Sequence, residues 1–203
     1  MFTGIIQDLG KVKSKTPKED SIGFIVQPVS KKFLKDIKTG DSISINGSCM
    51  TVEKKSGNEF EFTTIKESLR KTNLESLNIK DLVNLEKAMT LNSKLDGHIV
   101  QGHIDTTGII KKINKTKNSH EFFIEFSSSF AENIIYVGSI AVNGVSLTVA
   151  EIVNESSKSV LIKISVIPHT FHVTIFKLLK ENDIVNLEFD MMGKYVKRIL
   201  MKK

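Results

Sequence analysis

The sequence predicts an all-β protein of two similar halves, each a small antiparallel barrel or sandwich, and three observations carry that prediction. Short β-branched and aromatic segments recur with alternating polar and apolar residues, at 21–26, 41–45, 59–65, 122–126, 159–167 and 183–189. Successive side chains of a strand face opposite ways, so a period of two marks strands with one buried face. Asn-Gly pairs at Asn46-Gly47 and Asn143-Gly144 sit between such segments. Both residue types tolerate the positive φ of a tight hairpin turn. Finally, the chain repeats itself.

GIIQDLG at 4–10 matches GHIDTTG at 102–108, a spacing of 98 residues, and Gly40 and Gly138 keep that spacing. NGSCMTV at 46–52 and NGVSLTV at 143–149 lie 97 apart, which places one missing residue between Gly138 and Asn143. VNLE recurs at 83–86 and 185–188. Several matches in one order indicate a tandem duplication with its boundary near 91–96. The domains are then 1–96 and 97–190, with 191–203 as a tail.

Within each half, the strands are joined by turns, and two stretches read as helical. KESLRKTNLESL at 66–77 and HTFHVTIFKLLKE at 169–181 stand at equivalent places ahead of each VNLE strand, so each barrel carries a short helix there. In the tail, Tyr195, Val196, Ile199 and Leu200 recur at helical spacing. An apolar stripe outside both barrels needs a partner surface, either the barrels themselves or another copy of the chain.

Composition bounds the function. Hydrophobic residues make up 40% and charged residues 26% of the 203, enough apolar material for a packed core and too much for disorder. The net charge of +6 and pI of 9.2 raise nucleic-acid binding, but the lysines are scattered among acidic residues, and Arg70 and Arg198 are the only arginines. No apolar run approaches the roughly 20 residues needed to span a bilayer, and Met1-Phe2-Thr3-Gly4 does not open like a signal peptide. A cytoplasmic location is the expectation. Cys49 is the single cysteine, so no intrachain disulfide forms.

The repeated hairpin strand is the first candidate site. Its alternation places Cys49 and Thr51 on one face opposite Ser48, Met50 and Val52, and Ser146 and Thr148 opposite Val145, Leu147 and Val149. Two short polar rows are thus displayed at equivalent places, suited to hydrogen bonding a heteroaromatic ligand. A solvent-facing strand edge is the plainer account, and a lone cysteine is more often a small packed residue than a nucleophile. In DGHIVQGHIDTTG at 96–108, His98 and His103 are five apart and would face opposite ways in a strand, so no metal-binding spacing arises. Gly97 and Gly102 suit close approach of a ligand to the backbone. Phosphate-binding loops, dinucleotide fingerprints and the G-x-S-x-G elbow are absent.

Taken together in order, MFTGII, NGSCMTV, ESLRKTNL, VNLE, GHIVQGHID, GSIAVNGVSLTV and VNLEFDMMGKY resemble the riboflavin synthases of alpha-chain type, built from two lumazine-binding repeats. The likeness runs from Met1 to about Ile199. It implies two closed six-stranded antiparallel Greek-key barrels with short helices and a C-terminal helix that assembles a homotrimer. It further implies dismutation of two molecules of 6,7-dimethyl-8-ribityllumazine into riboflavin and 5-amino-6-ribitylaminouracil, with neither cofactor nor metal. Lumazine synthase is a further candidate partner, and neither nucleic acid nor membrane is one.

Carried onto this chain, the resemblance assigns Gly4, Ile5, Ile6, Cys49, Met50, Thr51, Thr63, Thr64, Ile65, Lys66, Glu67 and Ser68 to a ligand site in the first half. To the second half it assigns Gly102, His103, Ile104, Val137, Ser146, Leu147, Thr148, Ser165, Val166, Ile167, Pro168, His169 and Thr170. Phe2, Thr3, Cys49, His103, Ser146, Thr148 and Asp190 match positions linked to activity. Two departures stand out: Val137 replaces a common lysine, and His169 a frequent glutamate that the first half keeps as Glu67. The alternative is an antenna protein of the same fold that holds lumazine or flavin without turning it over.

Overall fold

The computed structural model describes residues 1–200, and these form two β-structures on one plan. The first half contains β1 (Asp8–Lys18), β2 (Ser21–Pro28), β3 (Ser42–Ile45), β4 (Ser48–Thr51), β5 (Lys54–Ser56), β6 (Glu59–Ile65) and β7 (Leu82–Lys87), paired in the order β4-β3-β7-β1-β2-β6-β5. The second contains β8 (Thr106–Lys115), β9 (His120–Ser127), β10 (Ser139–Val142), β11 (Val145–Glu155), β12 (Ser159–Val166) and β13 (Ile184–Phe189). These close a barrel in the order β10-β11-β12-β9-β8-β13, and all pairings are antiparallel.

The two orders describe one ring. Strand β11 pairs with β10 at one end and β12 at the other, whereas its first-half counterpart is interrupted at Val52 and Glu53 to give β4 and β5. The Glu53 amide still donates to Glu61 O at 2.8 Å, so the chain itself carries the wall across the gap. Alternation places every second residue inside: β2 buries Ile22, Phe24, Val26 and Pro28, and β12 buries Val160, Ile162, Ile164 and Val166. Stacked Phe24 and Phe62, with ring centroids 5.2 Å apart, fill the first barrel, and Phe122 meets Phe176 edge-on in the second. Each such buried ring contributes about 1.5–3 kcal/mol.

The spacing of the repeats needs one correction. Gly40 N–H donates to Val52 O and Val137 N–H to Val149 O, so the counterpart of Gly40 is Val137 rather than Gly138. The 97-residue spacing therefore already holds ahead of β10, and the length difference lies further upstream. Gly40 has a φ of +94°, and Val137 adopts the same left-handed region at +62°.

The stretches expected to be helical are each broken in two. α1 (Lys66–Lys71) and α2 (Pro168–Val173) give way to 3₁₀ turns at Asn73–Ser76 and Ile175–Leu178. Between them Thr72 and Thr174 are extended. Each hydroxyl donates to the carbonyl four residues back, Ser68 or Thr170, at 2.7 Å, and accepts the amide two residues on, Leu74 or Phe176. A β-branched side chain that bonds its own backbone competes with helix continuation.

The barrels meet at their Asn-Gly turns, where the Gly47 and Gly144 backbones pass too closely for a side chain on either. Buried asparagines lock this seam. Asn84 Nδ2 donates to Asn143 O at 2.9 Å, and its Oδ1 accepts from Ile175 N; Asn186 Nδ2 donates to Asn46 O at 2.8 Å, and its Oδ1 accepts from Asn73 N. Asn84 and Asn186 are the second residues of the two VNLE strands, so the duplicated sequence builds a pseudo-twofold interface. α3 (Met191–Leu200) follows β13, held by Lys194 to Asp105 at 2.6 Å and Lys197 to Glu132 at 2.9 Å, while Met192, Tyr195, Val196, Ile199 and Leu200 are exposed. Residues 201–203 of the expected tail lie outside the described residues. Among those described, no helix is long and apolar enough to cross a membrane.

Candidate functional site

The residues expected to form two separate sites are exchanged between the halves. Cys49, in β4 of the first barrel, donates its amide to Gly102 O at 2.8 Å, and Ser146, in β11 of the second, donates its amide to Gly4 O at the same distance. Gly4 and Gly102 lie in irregular segments with φ of +77° and +83°, and a Cβ on either would meet the Cβ of Ser146 or Cys49 at 2.5 or 2.6 Å. The family resemblance groups Gly4 with Cys49 and Gly102 with Ser146. The fold crosses them. The glycines serve close approach, as their type suggests, but it is the opposite barrel that approaches.

A cleft of about 180 Å³ opens beside Cys49. It is lined by Ser48, Cys49, Glu67, Ser68, Lys71 and Thr72 of the first half and by Gly102, His103 and Ile104 of the second. Glu67 pairs with Lys71 at 2.6 Å, which holds its carboxyl below the ordinary range. His103 is exposed at the rim.

Ser146 has a different neighbour. Its Oγ lies 2.7 Å from His98 Nδ1, and His98 is buried, with its own amide donating to Thr3 O at 3.2 Å. Burial holds the imidazole below its usual pKa, partly offset by the charge of Asp190. In the sequence, His98 suggests a metal ligand, set aside on strand geometry through 98–103, or a buried histidine satisfied by a backbone carbonyl; it is buried, but its ring partner is a hydroxyl. That segment is irregular, pinned by Phe2 N to Val100 O and Val100 N to Phe2 O, and this rotates His98 towards Ser146. The distance of 48 residues between the partners left no local signal.

Two carboxylates anchor the crossed segments. Glu86 Oε1 accepts from Thr3 N and Thr3 Oγ1 at 2.7 Å, and its Oε2 from Gly4 N at 3.1 Å. Glu188 accepts from Gln101 N at 2.5 Å, Gly102 N at 2.9 Å and His103 N at 3.0 Å. Burial raises both carboxyls, Glu188 to about 7. Glu86 and Glu188 are not among the site residues expected above, and their signal in the sequence is the Asn and Glu kept identically in two otherwise apolar VNLE strands.

The remaining candidates divide by direction. Thr51, Thr148, Ser165, Ile5, Ile65, Lys66, Ile167, Pro168 and His169 are exposed, and Ile6, Thr63, Leu147 and Thr170 are partly so. Met50, Thr64 and Val166 turn their side chains into the barrels, where Thr64 Oγ1 meets Met50 Sδ at 3.6 Å, leaving only their main chain for a ligand. Phe2 is fully buried with Val100 and Ala141 beneath Cys49 and supports the crossed segments from below. Asp190 caps α3, accepting from Met192 N at 2.9 Å. Val137 is exposed beside Ile135 and Tyr136 on the turn before β10.

Comparison with known proteins agrees with this architecture. The model of the lumazine binding domain matches residues 3–88 and 101–190. The riboflavin synthase of Actinobacillus pleuropneumoniae is 41% identical over 203 residues, covering 100% of this chain and 91% of that one. The riboflavin synthase of Bacillus subtilis (strain 168) is 36% identical over 202 residues with the same coverage. Among solved structures, LumP complexed with riboflavin superimposes with a TM-score of 0.81 at 25% identity, covering 93% of this chain and 99% of that one.

Proposed function

This chain belongs to the lumazine-binding domain family, in the two-repeat form of the riboflavin synthases, and on that premise we propose that it dismutates 6,7-dimethyl-8-ribityllumazine. Two molecules give riboflavin and 5-amino-6-ribitylaminouracil by transfer of a four-carbon unit. The observation that carries this reading is the crossed pair of strands, Cys49 with Gly102 and Ser146 with Gly4: one scaffold built twice, which we read as two places for one substrate.

The reaction needs one lumazine to lose a proton from its 7-methyl group and the resulting carbanion to attack the other. Holding both in place turns an encounter into a reaction within one complex, an effect worth several kcal/mol, up to about 10. Ser146 and His98 supply the proton-transfer pair. At neutral pH the depressed imidazole is uncharged and free to take a proton through the Ser146 hydroxyl, with the Asp190 carboxylate favouring the imidazolium that forms. Glu67 and His103 line the Cys49 cleft, but among the described residues no base is hydrogen bonded to the Cys49 side chain as His98 is to Ser146, and we assign this cleft the acceptor.

Assembly as a homotrimer through α3 is part of the proposal. It is supported by the outward stripe of Met192, Tyr195, Val196, Ile199 and Leu200, beside an apolar groove lined by Ile135, Met192, Val196 and Leu200. Removing residues 194–203 should leave monomers of weakened activity, seen by sedimentation and turnover together; a fully active monomer would refute the arrangement. The function itself is tested by mixing purified protein with the lumazine alone and following riboflavin by its absorbance. Binding without turnover would instead make the chain a carrier or antenna.

A further inference from the structure

The two buried glutamates are hydrogen bonded to neither Cys49 nor Ser146, yet each holds the segment that crosses to one of them, and beside Cys49 that segment lines a cleft. Glu188 stands on β13 of the second barrel, 2% exposed, and its oxygens collect the amides of Gln101, Gly102 and His103. That turns the Gly102 carbonyl towards the Cys49 amide of the first barrel and sets Gly102, His103 and Ile104 along the Cys49 cleft. Glu86 stands on β7 of the first barrel, 1% exposed, and collects the amides of Thr3 and Gly4 together with the Thr3 hydroxyl. The Gly4 carbonyl then meets the Ser146 amide of the second barrel.

A carboxylate is a costly way to fasten a loop, since removing it from water costs several kcal/mol, about what its set of charged hydrogen bonds recovers. What it adds over packing is direction. Three amides aimed at one carboxylate fix the peptide planes of the segment, and hence where the opposite carbonyls and side chains point.

We propose that Glu188 and Glu86 are crossed positioning residues: the carboxylate of each barrel sets the segment that completes the ligand cleft of the other. The inference rests on the functional reading above, in that the clefts are taken to bind lumazine. It assigns a role to the last residue of each VNLE strand and makes each barrel's site depend on the other barrel's strand.

The single cysteine provides a readout of one cleft. Iodoacetamide reacts with Cys49 alone, and bound 6,7-dimethyl-8-ribityllumazine should protect it. Glu188→Gln keeps the shape but sets an amide group against main-chain N–H groups, and should raise the lumazine concentration for half-protection about tenfold or more. Glu86→Gln makes the same change at an equally buried place and should leave protection of Cys49 within about twofold while still lowering turnover. In a protein carrying Cys49→Ser and Ser146→Cys the thiol reports the other cleft, and the two glutamine variants should exchange behaviour.

A merely structural role would make both glutamate variants lose protection alike, or neither, in both thiol backgrounds, and either result overturns the proposal. Should Glu188→Gln melt before it can be assayed, Glu188→Asp, which keeps the charge and shortens its reach, serves in its place with a smaller loss; unchanged protection in that variant refutes the role. Absence of protection and of riboflavin in the unmutated protein would overturn the functional reading itself, and is told apart because no glutamate has then been altered.

Discussion

The strand at Cys49 and the strand at Ser146 share a turn, a crossed glycine, an anchoring glutamate and a locking asparagine, and differ in what stands beside the reactive position. Ser146 has His98 at 2.7 Å. Among the described residues no histidine is hydrogen bonded to the Cys49 side chain, and His103 lines its cleft from the exposed rim. Flanking the first strand, Glu67 and Lys71 form an ion pair; flanking the second, the corresponding helix carries His169 and His172, with Phe171 stacked on His120 at 3.6 Å. Duplication supplies two places for two copies of one molecule. The divergence between them supplies the asymmetry that a donor and an acceptor require.

The sharpest way to break this comparison is to remove the feature found on one side alone. Ser146→Ala or His98→Gln should lower kcat by about a hundredfold or more, the usual worth of a positioned proton-transfer group, while the Cys49 cleft keeps its affinity for lumazine. Burial holds His98 below its ordinary value of 6.5, so the imidazole is neutral at pH 7. Activity should therefore fall on acidification below 6.5, and the acid limb of the kcat profile should vanish in His98→Gln. The linkage has the same sign for stability. A histidine with a depressed folded pKa contributes fully above 6.5, and that contribution is lost as the pH falls and the buried ring must charge. Loss of activity no larger than threefold in both variants would leave the two strands chemically equivalent.

Next in size is the seam. Asn84 and Asn186 each satisfy a carbonyl and an amide of the opposite barrel. Replacing either with alanine leaves two buried backbone groups unpaired and should cost about 2–4 kcal/mol, read as a lower midpoint in urea. Because the seam is pseudo-symmetric, the two variants should be destabilised alike. A large difference between them would show that Asn73, which has Ile175 as its counterpart, makes one side of the seam the stronger.

Much of this frame was legible in the sequence because it is local. Alternation at 21–26 and 159–167, the Asn-Gly turns and the repeated motifs each state a preference that the fold obeys. The grouping of the site was not legible, because Gly4 and Gly102 point to close approach without saying what approaches. Crossing depends on how two finished barrels dock, and the contacts of Gly4 with Ser146 and of Gly102 with Cys49 join residues 142 and 53 apart in sequence (146 − 4 and 102 − 49). His98 was hidden for the same reason, its irregular segment being fixed by Phe2 through long-range backbone pairing. Thr72 and Thr174, by contrast, broke the expected helices through bonds within four residues, a signal present in the sequence and outweighed there by the helical pattern around it.

A smaller effect is expected at the cysteine. Cys49→Ser gives the first strand the residue found in the second and should keep kcat within about tenfold, since both side chains fit the same site and both hydrogen bond. If that variant folds and binds lumazine yet is inactive, the thiol has a chemical role that the serine lacks, and the acceptor assignment must be revised.

The smallest effect compares Gly40 with Val137 at the turn before the hairpin. A valine with φ of +62° places a branched Cβ against its own carbonyl, at a cost of about 1–2 kcal/mol. Glycine at that place in the first half avoids the clash. Val137→Gly relieves the strain and loses about 0.5–1 kcal/mol to the greater freedom of the unfolded chain, so a net gain of up to about 1 kcal/mol is expected. For a chain of this length that corresponds to a rise of about 2–4 °C in Tm. Val137 is 62% exposed beside Ile135 and Tyr136, so little packing within the chain is given up by the change. A fall in Tm would mean that these exposed apolar residues are covered in the assembled protein, and the same measurement on the chain lacking residues 194–203 would separate strain within the turn from contact with a second copy.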